Sequence, residues 1–230
     1  MEENRFYKNI WRFNALIIAA AGVLSIVVLL FVLYTLYRES NQTIRRSEIV
    51  NIDPEKNIKE VFRLGNLEHI NGSKTVITRL YSDQNFSLNY AASKSTASTR
   101  NILFSNLYNQ TNRWLLPNNK FLISEYQYIK EGNLYDKNNT VLAILYSVVK
   151  NDSNNDSRLS SSDKITVSLS TPDGRGYTEI IENTERVLGY KVLDETSIAI
   201  MHNRDGKGYS IFVKLSDFTI LKEVEFPKFN

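Results

Sequence analysis

An uncharged run, NALIIAAAGVLSIVVLLFVLYTLY at residues 14–37, gives way to a polar stretch and then to short segments whose apolar residues recur at every second position. The first run predicts a helix. At about 1.5 Å per residue it outspans the ~30 Å hydrocarbon core of a bilayer. A secretory signal has a shorter apolar core of about 7–15 residues before its cleavage site, so an uncleaved single-pass anchor is the expectation. Trp11 and Phe13 before the run, with Tyr34 and Tyr37 near its end, suit the two interfacial belts. Residues 38–56 read as a juxtamembrane linker that carries Arg45, Arg46 and Pro54.

Beyond residue 57 the period is two. KTVITRLYS (74–82) sets Val76, Thr78 and Leu80 against Thr75, Ile77, Arg79 and Tyr81. KITVSLS (164–170) sets Ile165, Val167 and Leu169 against Thr166, Ser168 and Ser170, the pattern of a half-buried strand. NKFLISEYQYI, TVLAILYSVV, TSIAIMH and YSIFVKL are short, β-branched and aromatic as well. Turn signals separate them: Asn71-Gly72, Pro117-Asn118-Asn119, Pro172-Asp173-Gly174 and Asp205-Gly206. RWLLPNNKFLI reads as a hairpin around Pro117, anchored in the core by Trp114, and Asp194-Glu195 reads as another turn. The expectation is an all-β domain over residues 57–230, behind a short tail (1–13) and one transmembrane helix (14–37).

DGRGYTEII at Asp173 is echoed by DGKGYSIFV at Asp205, each placed to follow one strand and open the next. The apolar face slips by one position between the two copies, which calls for a bulge or a change of face. RNILFSNL, RWLLP, the Asp/Asn-rich loop and DGRGYTEI together resemble membrane-anchored bacterial envelope proteins with propeller-like β repeats. That resemblance implies a β-repeat fold, for which the length of residues 57–230 fits a partial propeller of about four small sheets. The residue pattern alone also admits a compact sandwich or barrel, and the domain is too short for six or seven blades.

Composition narrows the chemistry. The net charge is only +3 and no dense Lys/Arg run occurs, so a nucleic-acid partner is not expected. With no Cys and two His, thiolate and His-rich metal chemistry is excluded. No phosphate-binding glycine loop, nucleophile elbow or His-Glu-x-x-His motif is present.

NDSNNDSRLSSSDK at 151–164 is the exception. With Asp152 as position 1, oxygen donors fall at Asn154 (3), Asp156 (5), the Arg158 carbonyl (7), Ser160 (9) and Asp163 (12). Those are the offsets of the twelve-residue calcium loop. Leu159 at position 8 is placed to pack the loop on the core. The loop resembles the dockerin form D-x-N-x-D-x-x-L-S-x-x-D, which implies Ca²⁺ held by Asp152, Asn154, Asp156, Arg158, Ser160 and Asp163. Ser157 stands where Gly usually makes the sharp turn, and Asp163 is shorter than the usual Glu. Binding is therefore expected near roughly 10⁻⁴–10⁻³ M, the range of extracellular modules. The other reading is a solvated Asn/Ser-rich connector.

The functional expectation is an interaction or accessory protein in the bacterial inner membrane. Residues 14–37 contact lipid, the C-terminal domain faces the periplasm, and a membrane or envelope protein is the partner. Catalysis is not the favoured reading. The alternatives are a hydrolase of envelope polymers using carboxylates that no motif marks, or a sensor subunit signalling through a partner's membrane helix.

Overall fold

The computed structural model describes residues 3–41, 49–53, 60–85, 95–132 and 139–228. Arg45, Arg46 and Pro54 of the expected linker lie outside these residues. The chain forms two compact units, Met1–Arg46 and Ser47–Asn230.

In the first unit, helix α1 covers Glu3–Asn41. Its segment Ile10–Val32, 23 residues, is apolar, long enough to cross a membrane, and has no share buried against protein. Trp11 and Phe13 are exposed. The hydroxyl of Ser25 donates to the Ala21 carbonyl at 2.9 Å, so this polar group is satisfied within the helix.

The second unit is all-β, and no helix occurs among its described residues. Its strands are β1 (Val50–Asn51), β2 (Glu60–His69), β3 (Thr75–Asn85), β4 (Ser95–Asn106), β5 (Thr111–Trp114), β6 (Leu122–Lys130) and β7 (Val141–Val149). There follow β8 (Arg158–Leu159), β9 (Ile165–Ser170), β10 (Thr178–Thr184), β11 (Arg186–Asp194), β12 (Ser197–Arg204), β13 (Lys207–Lys214) and β14 (Ile220–Glu225). They make four small antiparallel sheets: β2-β3-β4-β5, β6-β7-β9-β10, β11-β12-β13-β14 and the two-stranded β1-β8. Each four-stranded sheet is an up-and-down meander, as a propeller blade is.

These sheets stack through two cores. Ile144, Tyr146 and Val148 of β7 join Ile77, Ile102 and Phe104 of the first sheet. Ala143, Leu145 and Val149, on the opposite face of the same strand, join Ile198, Ile200, Ile211 and Val213 of the third. The middle sheet is thus buried on both faces, and its central strand β7 reads as a near-continuous apolar run for that reason.

Burial on both faces corrects the half-buried reading of 164–170. All six residues of β9 are buried, the Ser and Thr face included. That polar face is tolerated because it is hydrogen-bonded: Ser168 to the Tyr177 hydroxyl at 2.9 Å and Ser170 to the Tyr146 hydroxyl at 2.8 Å.

Three further expectations change. Residues 115–121 form no hairpin around Pro117, because β5 pairs with β4 while β6 pairs with β7 in the next sheet. The segment is a crossover, held by the buried side chain of Asn101. Its amide nitrogen donates to the Leu116 carbonyl (3.0 Å) and to Asn119 Oδ1 (2.9 Å), and its oxygen accepts from the Leu116 N–H (3.0 Å). Trp114 is no core anchor either; it sits on exposed strand β5 at 42% exposure. Finally, the Asp-Gly echo does not mark equivalent turns. The copy at Asp173 joins the third and fourth strands of the middle sheet, whereas that at Asp205 joins the second and third of its own. Asp205 and Gly206 both have positive φ (52° and 72°), giving the tight two-residue hairpin turn. The slipped face goes with that difference: residues 171–177 separate β9 from β10, whereas Asp205 and Gly206 alone separate β12 from β13.

Candidate metal centre

Between β7 and β9, the second and third strands of the middle sheet, the Asp/Asn loop leaves the sheet and returns. Its first half is a chain of side-chain-to-backbone bonds. Asp152 accepts from the Asp156 N–H through Oδ1 (3.1 Å) and from the Ser157 N–H through Oδ2 (2.7 Å). Asn154 Oδ1 accepts the Asp156 N–H at 3.0 Å, and Asp156 Oδ1 accepts the Arg158 N–H at 2.9 Å. One donor, the Asp156 N–H, thus brings the side-chain oxygens of Asp152 and Asn154 close together. These bonds fix a tight coil, and Asn155 and Ser157 take positive φ to complete it (59° and 61°). Ser157 therefore adopts the conformation expected of a glycine at position 6, at a cost of about 1–2 kcal/mol.

Asp163 plays a different part. It is 2% exposed. Its Oδ1 accepts from Ser153 N (2.8 Å), Ser153 Oγ (3.1 Å) and Asn154 N (3.3 Å), while Oδ2 accepts from Ser160 N (2.9 Å). One carboxylate therefore ties the start of the loop to its end. Ser160 is buried beside it. Arg158 and Asp156 are exposed. Leu159, 2% exposed, packs into the core shared by the middle and third sheets, so position 8 does fasten the loop to the body.

All the donors in this set are oxygens, the choice of a hard cation such as calcium over zinc or copper. Each carboxylate oxygen that accepts one N–H keeps a second lone pair. As the side chains stand, no group of three or more His, Asp or Glu among the described residues is placed to hold a metal ion. A cation therefore needs Asp152, Asp156 and Asp163 drawn closer than the hydrogen-bonded loop holds them.

The alternating-pattern reading missed what the loop rests on. Val50 and Asn51, inside the stretch read as linker, form β1 and pair with Leu159 and Arg158. The Ile52 N–H donates to the Ser157 carbonyl at 3.0 Å. On its other side this segment is gripped by the first sheet. Gln84 Oε1 accepts from the Asn51 N–H (2.8 Å), its Nε2 donates to the Asn51 carbonyl (3.3 Å), and Ser98 Oγ donates to the Ile49 carbonyl (2.9 Å). The apolar residues Ile49, Val50 and Ile52 were the available signal. Val50 is fully buried.

The two histidines are not brought to the loop. His202 lies buried in the third sheet, its Nδ1 3.0 Å from Thr184 Oγ1 of the middle sheet, and His69 ends β2. The Asp194 carboxylate takes the Thr196 N–H (2.8 Å) and the Thr196 and Ser197 hydroxyls (2.7 and 3.0 Å), so it caps its own hairpin.

No family model and no curated protein matches the chain. Among solved structures it is similar to the β-propeller domain, of open velcro topology, of the Trilobed protease from Pyrococcus furiosus. The identity is 14% and the TM-score 0.38, with 73% of this chain and 44% of that chain covered. The chain thus spans less than half the length of that structure. A likeness of this size carries no argument, and the fold is established by the four sheets themselves.

Proposed function

We propose that the protein is a single-pass accessory protein of the bacterial inner membrane. Its β body faces the periplasm, engages a membrane or envelope protein, and is stiffened at residues 152–163 by calcium. The observation that carries the anchor is the segment Ile10–Val32, apolar, uncovered by protein and long enough to cross a bilayer. A β body whose outer strands, such as β2 and β14, are largely exposed leaves surface for a partner. The calcium reading is supported by the oxygen-only donor set at the expected offsets and by the glycine-like φ of Ser157.

Two experiments test the reading separately. For the anchor, membranes are washed with alkaline carbonate and then treated with protease from the periplasmic side. Retention in the pellet with digestion of the β body is expected; release into the wash overturns the anchor. For the loop, the full chain in detergent is titrated with calcium while its Tm is followed. A rise is expected that is absent in Asp156→Ala, whose side chain makes one hydrogen bond to the loop. Asp163→Ala, in contrast, lowers Tm with or without calcium, by about 1–3 kcal/mol of stability, because five donors lose their acceptor. A parent whose Tm ignores millimolar calcium has only a hydrogen-bonded connector at 152–163.

A further inference from the structure

A cleft of about 200 Å³ opens where the β4–β5 hairpin of the first sheet meets the 171–177 loop of the middle sheet. Asn106, Asn109, Asn112, Arg113, Asp173 and Arg175 line it. Beneath them lies the ring of Phe104, 2% exposed. Gly174 sits so close over that ring that an added Cβ would collide with it, so the two walls are packed together in advance of any ligand.

Hydrogen-bond accounting gives the cleft its chemistry. Asn106 Oδ1 accepts the N–H groups of Tyr108 (3.0 Å) and Asn109 (3.3 Å). Asn109 Oδ1 accepts from Thr111 N (3.3 Å) and Thr111 Oγ1 (2.7 Å). An N–H can be accepted only by the amide oxygen, so both amide orientations are fixed and neither NH₂ group has an acceptor among the described residues. The Arg113 guanidinium, on the same sheet face as Phe104, has no hydrogen-bonded or ion-paired partner among the described residues.

The one acid of the cleft is already used. Asp173 accepts from Thr171 Oγ1 (2.5 Å) and the Arg175 N–H (3.2 Å), and it pairs with the Arg175 side chain at 3.3 Å. Partial burial acts to raise its carboxyl. The bonds from Thr171 and Arg175, with the charges of Arg175 and Arg113, outweigh that and hold it below its usual range. Asp173 therefore stays ionised and cancels Arg175. One positive charge, that of Arg113, and the amide donor groups of Asn106 and Asn109 are left at the cleft.

From this surplus we infer that the cleft binds a small hydroxylated carboxylate, the chemistry of a sugar acid. A planar carboxylate matches the guanidinium fork of Arg113. Neighbouring hydroxyl oxygens take the donors of Asn106 and Asn109. The volume is below the ~300–1,000 Å³ usual for drug-sized ligands, which restricts the occupant to a small solute. A monoanion leaves the site neutral, whereas a phosphate dianion leaves an uncompensated charge beside Asp173. The site shares no residue with the Asp/Asn loop and does not depend on the metal reading.

Titration calorimetry of the full chain in detergent tests the inference, with glucuronate, glucose and inorganic phosphate as probes. Saturable glucuronate binding is expected, with glucose and phosphate each at least about tenfold weaker. Arg113→Gln removes the unpaired charge. Asn109→Asp keeps the oxygen that Thr111 needs and replaces the free NH₂ with a second acceptor. Both variants should keep the parent Tm and lose glucuronate affinity by about tenfold or more. The inference is overturned if the parent fails to bind glucuronate at millimolar concentration, if glucose or phosphate binds as well, or if either variant binds glucuronate like the parent.

Discussion

The middle and the first sheets are built from the same four-stranded meander, yet they answer to their sequences differently. In β7 every residue but one is buried, and side chains on both faces enter a core. In β2 most residues are exposed, and Phe62, Leu64 and Leu67 stand 45–55% open. Position in the stack, not strand pattern, decides what an alternating sequence means. The Ser/Thr side of β9 would face water in an outer sheet; in the middle sheet it becomes a buried ladder of hydroxyl bonds to Tyr146 and Tyr177.

The largest test of this contrast is truncation. Ile144→Ala and Leu145→Ala, one on each face of β7, should each cost about 2–5 kcal/mol, while Leu64→Ala on β2 should cost under about 1 kcal/mol. Urea unfolding of the three variants measures it, and equal losses would break the comparison. Next in size is a pair of glycines. Gly174 and Gly206 have nearly the same φ, +74° and +72°, but a Cβ at Gly174 meets the Phe104 ring and one at Gly206 meets open space. Gly206→Ala should cost about 1–2 kcal/mol from backbone strain alone. Gly174→Ala should cost visibly more in the same assay; equal costs would mean the first and middle sheets are loosely joined there.

The smallest effect sharpens the contrast on the other side of the stack. His202, with no exposed surface, lies where the third sheet meets Thr184 of the middle sheet. Burial lowers its imidazole, the charge of Arg204 adds to this, and Glu223 opposes both. The unfolded chain therefore binds the proton more readily than the folded one. Stability is full above the ordinary histidine value, ~6.5, and declines as pH falls below it. Tm measured from about pH 7.5 to about 5.5 should fall, with a gentler slope in His202→Gln. A slope unchanged by that substitution would assign the pH response to other groups.

Much of this was legible in the residues. An uncharged 14–37 run admits little but a long apolar helix, and period two beyond residue 57 admits little but strands. Gly72 and Gly206 sit in their turns as the Asn-Gly and Asp-Gly signals require. At the loop, Leu159 and Ser157 behave as their positions imply. What local pattern could not show was partnership across distance. That Asn101 would hold residues 116–119 as a crossover, or that Val50 would pair with Leu159, depends on segments separated by many residues. Pro-Asn-Asn spells a turn in either topology, and an Asp-Gly repeat spells a hairpin wherever in a meander it falls. Cleft and crossover alike were hidden because side chains such as Asn106 and Asn101 bond to backbone, which leaves no periodic trace.

The short ladder of β1 with β8 has a mechanical consequence. Any tension arriving along the chain from its N-terminal side is delivered to the β body first at Ile49–Ile52, where a two-residue pairing, the side chain of Gln84 and the hydroxyl of Ser98 share it. Val50, fully buried in the core beside Leu159, is the bolt at that point. A stiffer coil at 152–163 raises the pull needed to peel this first strand away, because β8 on that coil is its ladder partner.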